Sequence, residues 1–297
     1  MNDKKHLLWA HLALFSVNLI YGLNFVIAKD VMPRYIEPGG FILLRVFGAN
    51  ALFWGLHAFY KSSQILREDW WRFIAGGLFG VAANQILFFK GLNLTTPINA
   101  SIIMVATPVL VLLIGALAAT ERISTIKALG ILLGAGGAVL LIMNRTLPSS
   151  FAANPTLGNL FVLLNAASYA VYMVIAKPLM KKYQPLFVIK WVFLFGMLFV
   201  LPFGWQEFSA IQWQSFPPDV VWKTLYIVVG VTFVTYLFNM FALKHLHASV
   251  VSIYIYVQPV IAALHAISLG KDQLTLIMTG SSILIFSGVF LVSRNKG

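Results

Sequence analysis

The sequence predicts an all-α integral membrane protein of ten transmembrane helices, arranged as two inverted five-helix repeats. Composition is the first observation behind this. Of the 297 residues, 60% are hydrophobic and 10% are charged, and the mean hydropathy is +0.85. Soluble domains carry about 25% charged residues, so a chain this apolar has to place its surface in lipid. The second observation is length. Ten apolar runs of about 20 residues are each long enough to cross a bilayer as a helix. The third is an internal duplication. Gly91–Arg122 has an echo at Ala242–Asp272, in which Pro108 meets Pro259 and Glu121 meets Asp272 at one offset of 151 residues. Val26-Ile27-Ala28-Lys29 recurs as Val174-Ile175-Ala176-Lys177, with Tyr21 and Tyr169 five residues before each. A period this long means two halves rather than a solenoid.

The runs are 7–29, 39–59, 71–90, 95–118, 126–144, 157–177, 186–205, 220–242, 247–269 and 274–293. The first follows MNDKKH, which has the charge order of a signal peptide. Its apolar stretch is too long for a signal core of roughly 7–15 residues and no small-residue cleavage site closes it, so it reads as a retained helix. Short connectors carrying Pro, Gly, Asn or charge separate the others, such as Pro33-Arg34-Tyr35 and Pro217-Pro218. No soluble domain fits between them. The two units run from 7 to 144 and from 155 to 295.

Charge sets the orientation. With the N-terminus inside, thirteen Lys and Arg fall in cytoplasmic segments and six outside, while Arg45 and Lys190 lie within helices. This bias places both termini in the cytoplasm. The net charge of +12 therefore reflects cytoplasmic loops and not nucleic-acid binding. Five helices per half is an odd number, so the second half enters the bilayer from the opposite side. Inverted repeats recur in secondary transporters, whose substrate sites lie near the midplane between the halves.

Short motifs carry a family resemblance. Tyr21-Gly22-Leu23-Asn24-Phe25 resembles the first-helix signature of EamA-type transporters of the drug/metabolite transporter superfamily, and Leu44-Arg45 resembles the Leu-Arg of their second helix. Ala106-Thr107-Pro108-Val109, followed by Ala119-Thr120-Glu121-Arg122, is similar to their Pro-Val and Gly-Glu-Arg ending, and Gln258-Pro259-Val260 with Gly270-Lys271-Asp272 repeats it. The match departs at Asp272 for Glu, at Ala119-Thr120 for Leu-Gly, and at Val192, where the second half lacks a counterpart of Arg45. The resemblance covers nearly the whole chain. It implies a carrier of small metabolites in the inner membrane, often working outward, and leaves the cargo open among amino acids, purine-like compounds and cationic drugs.

Amides and phenols in the middle of apolar helices mark candidate sites. Asn18, Tyr21 and Asn24 recur every third residue in the first helix and share a face. The third helix has Asn84 and Gln85, and the fourth has Met104 and Thr107. The sixth has Asn165, Tyr169 and Tyr172, the eighth Thr235, Tyr236 and Asn239, and the ninth Tyr256 and Gln258. These are the first, third and fourth helices of each half, and together they predict a substrate-binding cavity. Each amide has a competing role as glue between helices, at about 0.6–2 kcal/mol. Pro108 and Pro259 each remove a backbone donor and are candidate hinges rather than static kinks, and the released carbonyls can bend the helix or bind a polar solute. Gly76 with Gly80 and Gly130 with Gly134 are spaced for close helix contact. Arg45 is read as snorkelling or binding a helix end, ahead of substrate contact, Lys190 as snorkelling, and Glu121 and Asp272 as caps or pair partners.

What is missing narrows the chemistry. The sequence has no Cys and no mid-helix acid, and only His11 and His265 are intramembrane titratable candidates. No nucleophile, zincin or phosphate-loop motif occurs. The expectation is a non-enzymatic carrier with no catalytic residues, no cofactor and no metal, whose partners are a small solute and the lipid bilayer. A monomer is compatible with the sequence. A zwitterionic or neutral solute with an apolar part fits best, an amino acid first, with export implied by the resemblance. The alternatives are an exporter of drugs or cationic metabolites and a non-transporting assembly subunit, which would be solid at its centre.

Overall fold

The computed structural model describes residues 2–60, 64–118, 124–143, 152–246, 251, 254–271 and 273–294. The side chains of 2–6, 127, 131, 138, 141–143, 256, 289 and 292–294 lie outside the description. The helices are α1 (Asn2–Val31), α2 (Pro38–His57), α3 (Arg67–Leu94), α4 (Pro97–Leu117), α5 (Thr125–Met143), α6 (Pro155–Lys182), α7 (Pro185–Ser209), α8 (Pro218–His245), α9 (Val257–Ser268) and α10 (Leu276–Arg294). Among the described residues, seven are long and apolar enough to cross a membrane: α1 from Leu7, α2, α3, α4, α6, α7 and α8. The other three carry shorter apolar stretches, Ala128–Gly137, Val257–Ser268 and Leu276–Gly288. The expected ten crossings thus appear as seven full-length spans and three shorter helices.

Local chemistry sets the helix starts. Pro38, Pro97, Pro155, Pro185 and Pro218 occupy the first helical position, where no intrahelical N–H bond is lost and φ is already helical. Thr96 and Asn154 cap α4 and α6 by accepting from the Asn99 and Leu157 amides at 3.2 Å. At the start of α2 the cap comes from far away in sequence. Glu207 of α7 accepts from the Gly39 and Gly40 amides at 2.6 and 3.0 Å, putting an anion on the positive end of the helix.

Packing links the halves. α1 lies against α8 and α9, and α6 lies against α3 and α4. α2 pairs with α7, and α5 with α10. Exchanging the halves maps each pair onto another pair or onto itself, as a two-fold axis requires. α3 and α6 approach each other backbone to backbone. A Cβ at Gly91 would meet the Gly158 carbonyl oxygen at 2.9 Å, and one at Gly158 would meet the Gly91 carbonyl at 2.8 Å. Outward, Phe47, Leu132, Phe203, Trp222 and Leu264 are each more than half exposed, which suits a surface facing lipid rather than water.

α3 and α8 share an irregularity. In each, eight residues of α-helix, Trp70–Gly77 and Pro218–Leu225, widen into a π-helical segment, Leu78–Ala82 and Tyr226–Val234. Such segments concentrate at functional sites. Gly80, Val81 and Ala82 of the first and Ile227, Val231 and Thr232 of the second are buried.

Backbone-to-backbone contact leaves no room to yield. Gly158→Ala should lower stability by about 1–3 kcal/mol, whereas Gly280→Ala, with open space around its Cβ, should stay within about 0.5 kcal/mol of wild type. Thermal unfolding of the two purified variants checks this.

Candidate functional site

At the centre is a cavity with about 120 Å³ open to the centres of water molecules, roughly ten times what a single water requires. α1 contributes Val17, Asn18, Tyr21, Asn24 and Phe25, and α3 contributes Asn84, Gln85, Phe88 and Phe89. Met104, Thr107 and Val111 come from α4, and Asn165, Tyr169 and Met173 from α6. Val231, Tyr236 and Asn239 come from α8, while Val251, Ile255 and Gln258 come from α9 and the segment before it. The first, third and fourth helices of each half therefore supply the wall. α2 adds one residue, Arg45.

The prolines explain part of the wall. Pro108 has no N–H for the Met104 carbonyl four residues back, and the helix is interrupted at Val105–Ala106. The Thr107 hydroxyl donates to that carbonyl at 2.6 Å. The neighbouring hydroxyl thus replaces the missing donor at this carbonyl. Pro259 lies in the first turn of α9, just after a 3₁₀ turn at Tyr254–Tyr256. Gln258 takes a different route from Thr107. Its amide nitrogen donates to Asn18 Oδ1 at 2.6 Å, and Asn18 donates to the Leu14 carbonyl at 2.7 Å.

Side chains near the wall also serve the backbone of α3 and α8. Ser168 donates to the Phe79 carbonyl at 2.7 Å, Tyr236 to the Gly80 carbonyl at 3.2 Å, and Asn165 to the Asn84 carbonyl at 2.6 Å. In α8, Thr232 donates to Ile227 five residues back at 2.8 Å. Other polar atoms stay open. Asn24 Oδ1 and Asn165 Oδ1 are buried without partners. Gln85 makes no hydrogen bond of ordinary geometry, although its amide lies beside the Tyr236 hydroxyl.

Several sequence expectations change here. Tyr172 shares a face with Asn165 and Tyr169 on an ideal helix, yet it is not on the cavity wall. Its ring fills the space that Gly80 leaves, where a Cβ would sit 2.6 Å from Tyr172 Cγ. Thr235 is likewise off the wall. It shares a hydrogen bond with the Tyr21 hydroxyl at 3.0 Å and donates to the Val231 carbonyl at 2.6 Å, so it positions Tyr21. The Tyr256 side chain, Glu121 and Asp272 lie outside the described residues. His11 bonds Tyr254 at 2.8 Å, and neither it nor His265 lines the cavity. Lys190 does not snorkel. It is 3% exposed and stacks over Trp54 and Phe187, with its ammonium 4.4 and 5.1 Å from the ring centres.

Arg45 is the residue that sequence reasoning underweighted. It neither snorkels nor caps a helix. It is 4% exposed, lies over the Phe89 ring at 4.3 Å, and donates from Nε to Thr232 at 3.0 Å. The available signal was a mid-helix Arg in a chain with no mid-helix acid.

A family model, the EamA-like transporter family, matches residues 8–143 and 156–294. The chain belongs to this family. EamA proteins fall within the drug/metabolite transporter superfamily, and the two matched stretches are its two repeats. An uncharacterized transporter of Archaeoglobus fulgidus is 25% identical over 298 residues, covering 100% of this chain and 99% of its own. The uncharacterized transporter YoaV of Bacillus subtilis is 26% identical over 285 residues, 94% of this chain and 95% of its own. The aromatic amino acid exporter YddG of Ancylobacter novellus is 30% identical over 116 residues, 38% of this chain and 39% of its own. A solved crystal structure of a protein superposes with a TM-score of 0.64 at 19% identity, over 95% of each chain. That likeness concerns the fold alone.

The corrected roles have separable consequences. Tyr172→Phe removes a hydroxyl with no partner and should leave the unfolding midpoint within about 0.5 kcal/mol of wild type. Gln258→Leu strands Asn18 Oδ1 in the interior and should cost about 1–3 kcal/mol. Denaturation of the two variants side by side measures the difference.

Proposed function

We propose that this chain is a secondary transporter that moves small metabolites, amino acids or related compounds, across the cell's inner membrane by alternating access, in the outward direction. The observation that carries this reading is the central cavity walled by both repeats. An assembly subunit would have no use for such a space, and its polar residues would be consumed between helices. Here Asn24 and Asn165 keep buried acceptors unpaired, which a solute can use.

The mechanism follows from the breaks in the wall. Pro108 and Pro259 sit where α4 and α9 are already interrupted, so each is a natural hinge between a fixed and a moving half-helix. Two ion clusters lie at helix ends. Asp30 at the end of α1 pairs with Lys223 of α8 at 2.9 Å and with Lys271 after α9. Asp69 at the start of α3 pairs with Arg72 at 2.8 Å and with Lys182 at the end of α6 at 3.0 Å. With ten crossings and cytoplasmic termini, these clusters fall on opposite faces of the membrane and fasten α1–α8–α9 and α3–α6 as two units. Rocking of the units about the cavity exposes it to each side in turn. Among the described residues no acid or His lines the cavity, which favours movement down the solute's own gradient over proton coupling. The same absence disfavours a cationic drug as cargo, since no carboxylate would pair with it. The aromatic amino acid exporter among the relatives agrees with an amino acid as cargo.

Uptake of labelled amino acids into proteoliposomes, with and without an imposed pH gradient, tests the proposal. Saturable uptake of at least one member is expected, unchanged by the gradient and reduced to the protein-free background in Tyr21→Ala, Tyr169→Ala double-variant protein. Absence of uptake by folded wild-type protein would reject the amino-acid reading. Topology has its own test, because the chain has no Cys. Ser215→Cys should react with a membrane-impermeant maleimide in intact cells, and Lys181→Cys only after lysis.

A further inference from the structure

We infer that Arg45 is the anchor for a carboxylate group on the solute, which makes the cargo a monoanionic-headed compound such as a zwitterionic amino acid. This rests on reading the cavity as the solute site. Three observations carry it. Arg45 is the charged member of the described cavity wall, and it is buried in the middle of the molecule. It has no acid beside it. Among the described acids, Asp30 and Asp219 pair with Lys223, Glu68 and Asp69 with Lys182, and Glu207 with the start of α2. Glu37 is the N-cap residue of α2 and precedes Arg45 by eight residues, roughly 12 Å along a helix axis. Nor is the guanidinium saturated. Nε is held by Thr232 and the face of the group by Phe89, and neither contact uses the Nη donors.

A cation left unmatched in a membrane interior is costly, and a fixed cation open to a cavity is neutralised whenever an anionic group enters. The guanidinium fork matches a planar carboxylate. One cation balances one negative charge, which fits a carboxylate better than a phosphate dianion. The contacts that hold Arg45 also pre-position it, so little ordering is required when the solute arrives. Opposite in chemistry are the unpaired oxygens of Asn24 and Asn165, which accept N–H donors and so suit an ammonium group without demanding a fixed negative charge. Phe25, Phe88 and Tyr169 supply an apolar surface for the body of the molecule.

Calorimetric binding to the full-length protein in lipid nanodiscs tests this with four probes: L-phenylalanine, 3-phenylpropionate, L-phenylalaninamide and 2-phenylethylamine. The first two should bind, and the two lacking a carboxylate should bind roughly tenfold or more weakly, the loss expected for a charge-assisted hydrogen bond. Arg45→Gln should remove the preference, and Arg45→Lys should keep part of it. Should Arg45→Gln fail to fold, phenylalanine against its amide on wild-type protein still decides. Equal binding of the amide and the carboxylate, unaltered carboxylate binding in folded Arg45→Gln, or no binding of either carboxylate would each overturn the inference. Because binding is read at equilibrium, it separates from flux. Carboxylate binding without transport retains the anchor and rejects the carrier. Transport of solutes indifferent to Arg45 does the reverse.

Discussion

A backbone carbonyl released inside a bilayer finds no water to accept from, and this structure is arranged around that fact. The centre of the molecule departs from regular α-helix in four places, at the two prolines and the two π-helical segments. At the Pro108 break and in both π-helical segments, side chains donate to the backbone carbonyls. Thr107 serves Met104, Ser168 serves Phe79, Tyr236 serves Gly80, and Thr232 serves Ile227. Polar side chains are therefore drawn to the centre because the backbone needs them. Once gathered there, the groups with spare capacity face a space that the irregular helices fail to fill. Satisfying the backbone and building the cavity are one act.

Symmetry determines which helices take part. Pairing α1 with α8 and α9, and α6 with α3 and α4, brings the irregular helices of one repeat against the regular, amide-bearing first helix of the other. α2 with α7 and α5 with α10 complete the outer contacts. The two halves nonetheless differ where chemistry is concerned. Thr107 and Gln258 hold equivalent places before their prolines, yet one mends its own helix and the other reaches across to Asn18. Arg45 has Val192 as its counterpart. A duplicated scaffold has thus acquired a one-sided electrostatic character, with Arg45 as the one charged side chain among the described residues of the cavity wall.

Much of this was legible in the chain itself. Apolar run lengths and the 151-residue echo determined an all-helical membrane protein of two repeats, because they depend only on the chain's own composition and on the length needed to cross lipid. The restriction of amides and phenols to the first, third and fourth helices of each half likewise marked most of the wall, including Asn18, Tyr21, Asn84, Tyr169 and Gln258. Tertiary structure decided what local periodicity leaves open. Tyr172 has the helical phase of a wall residue but turns into the notch at Gly80, since a ring buries better against a bare backbone than toward an open space. Thr235 supports Tyr21 from behind, a relation between residues 214 apart in sequence. Whether a buried Arg snorkels, pairs or faces a cavity depends on which acids come within reach, and that is a property of the folded packing alone. The sequence by itself therefore determined which helices form and which of them carry polar groups. Only the fold decided which of those groups serve the backbone and which remain free to meet a solute.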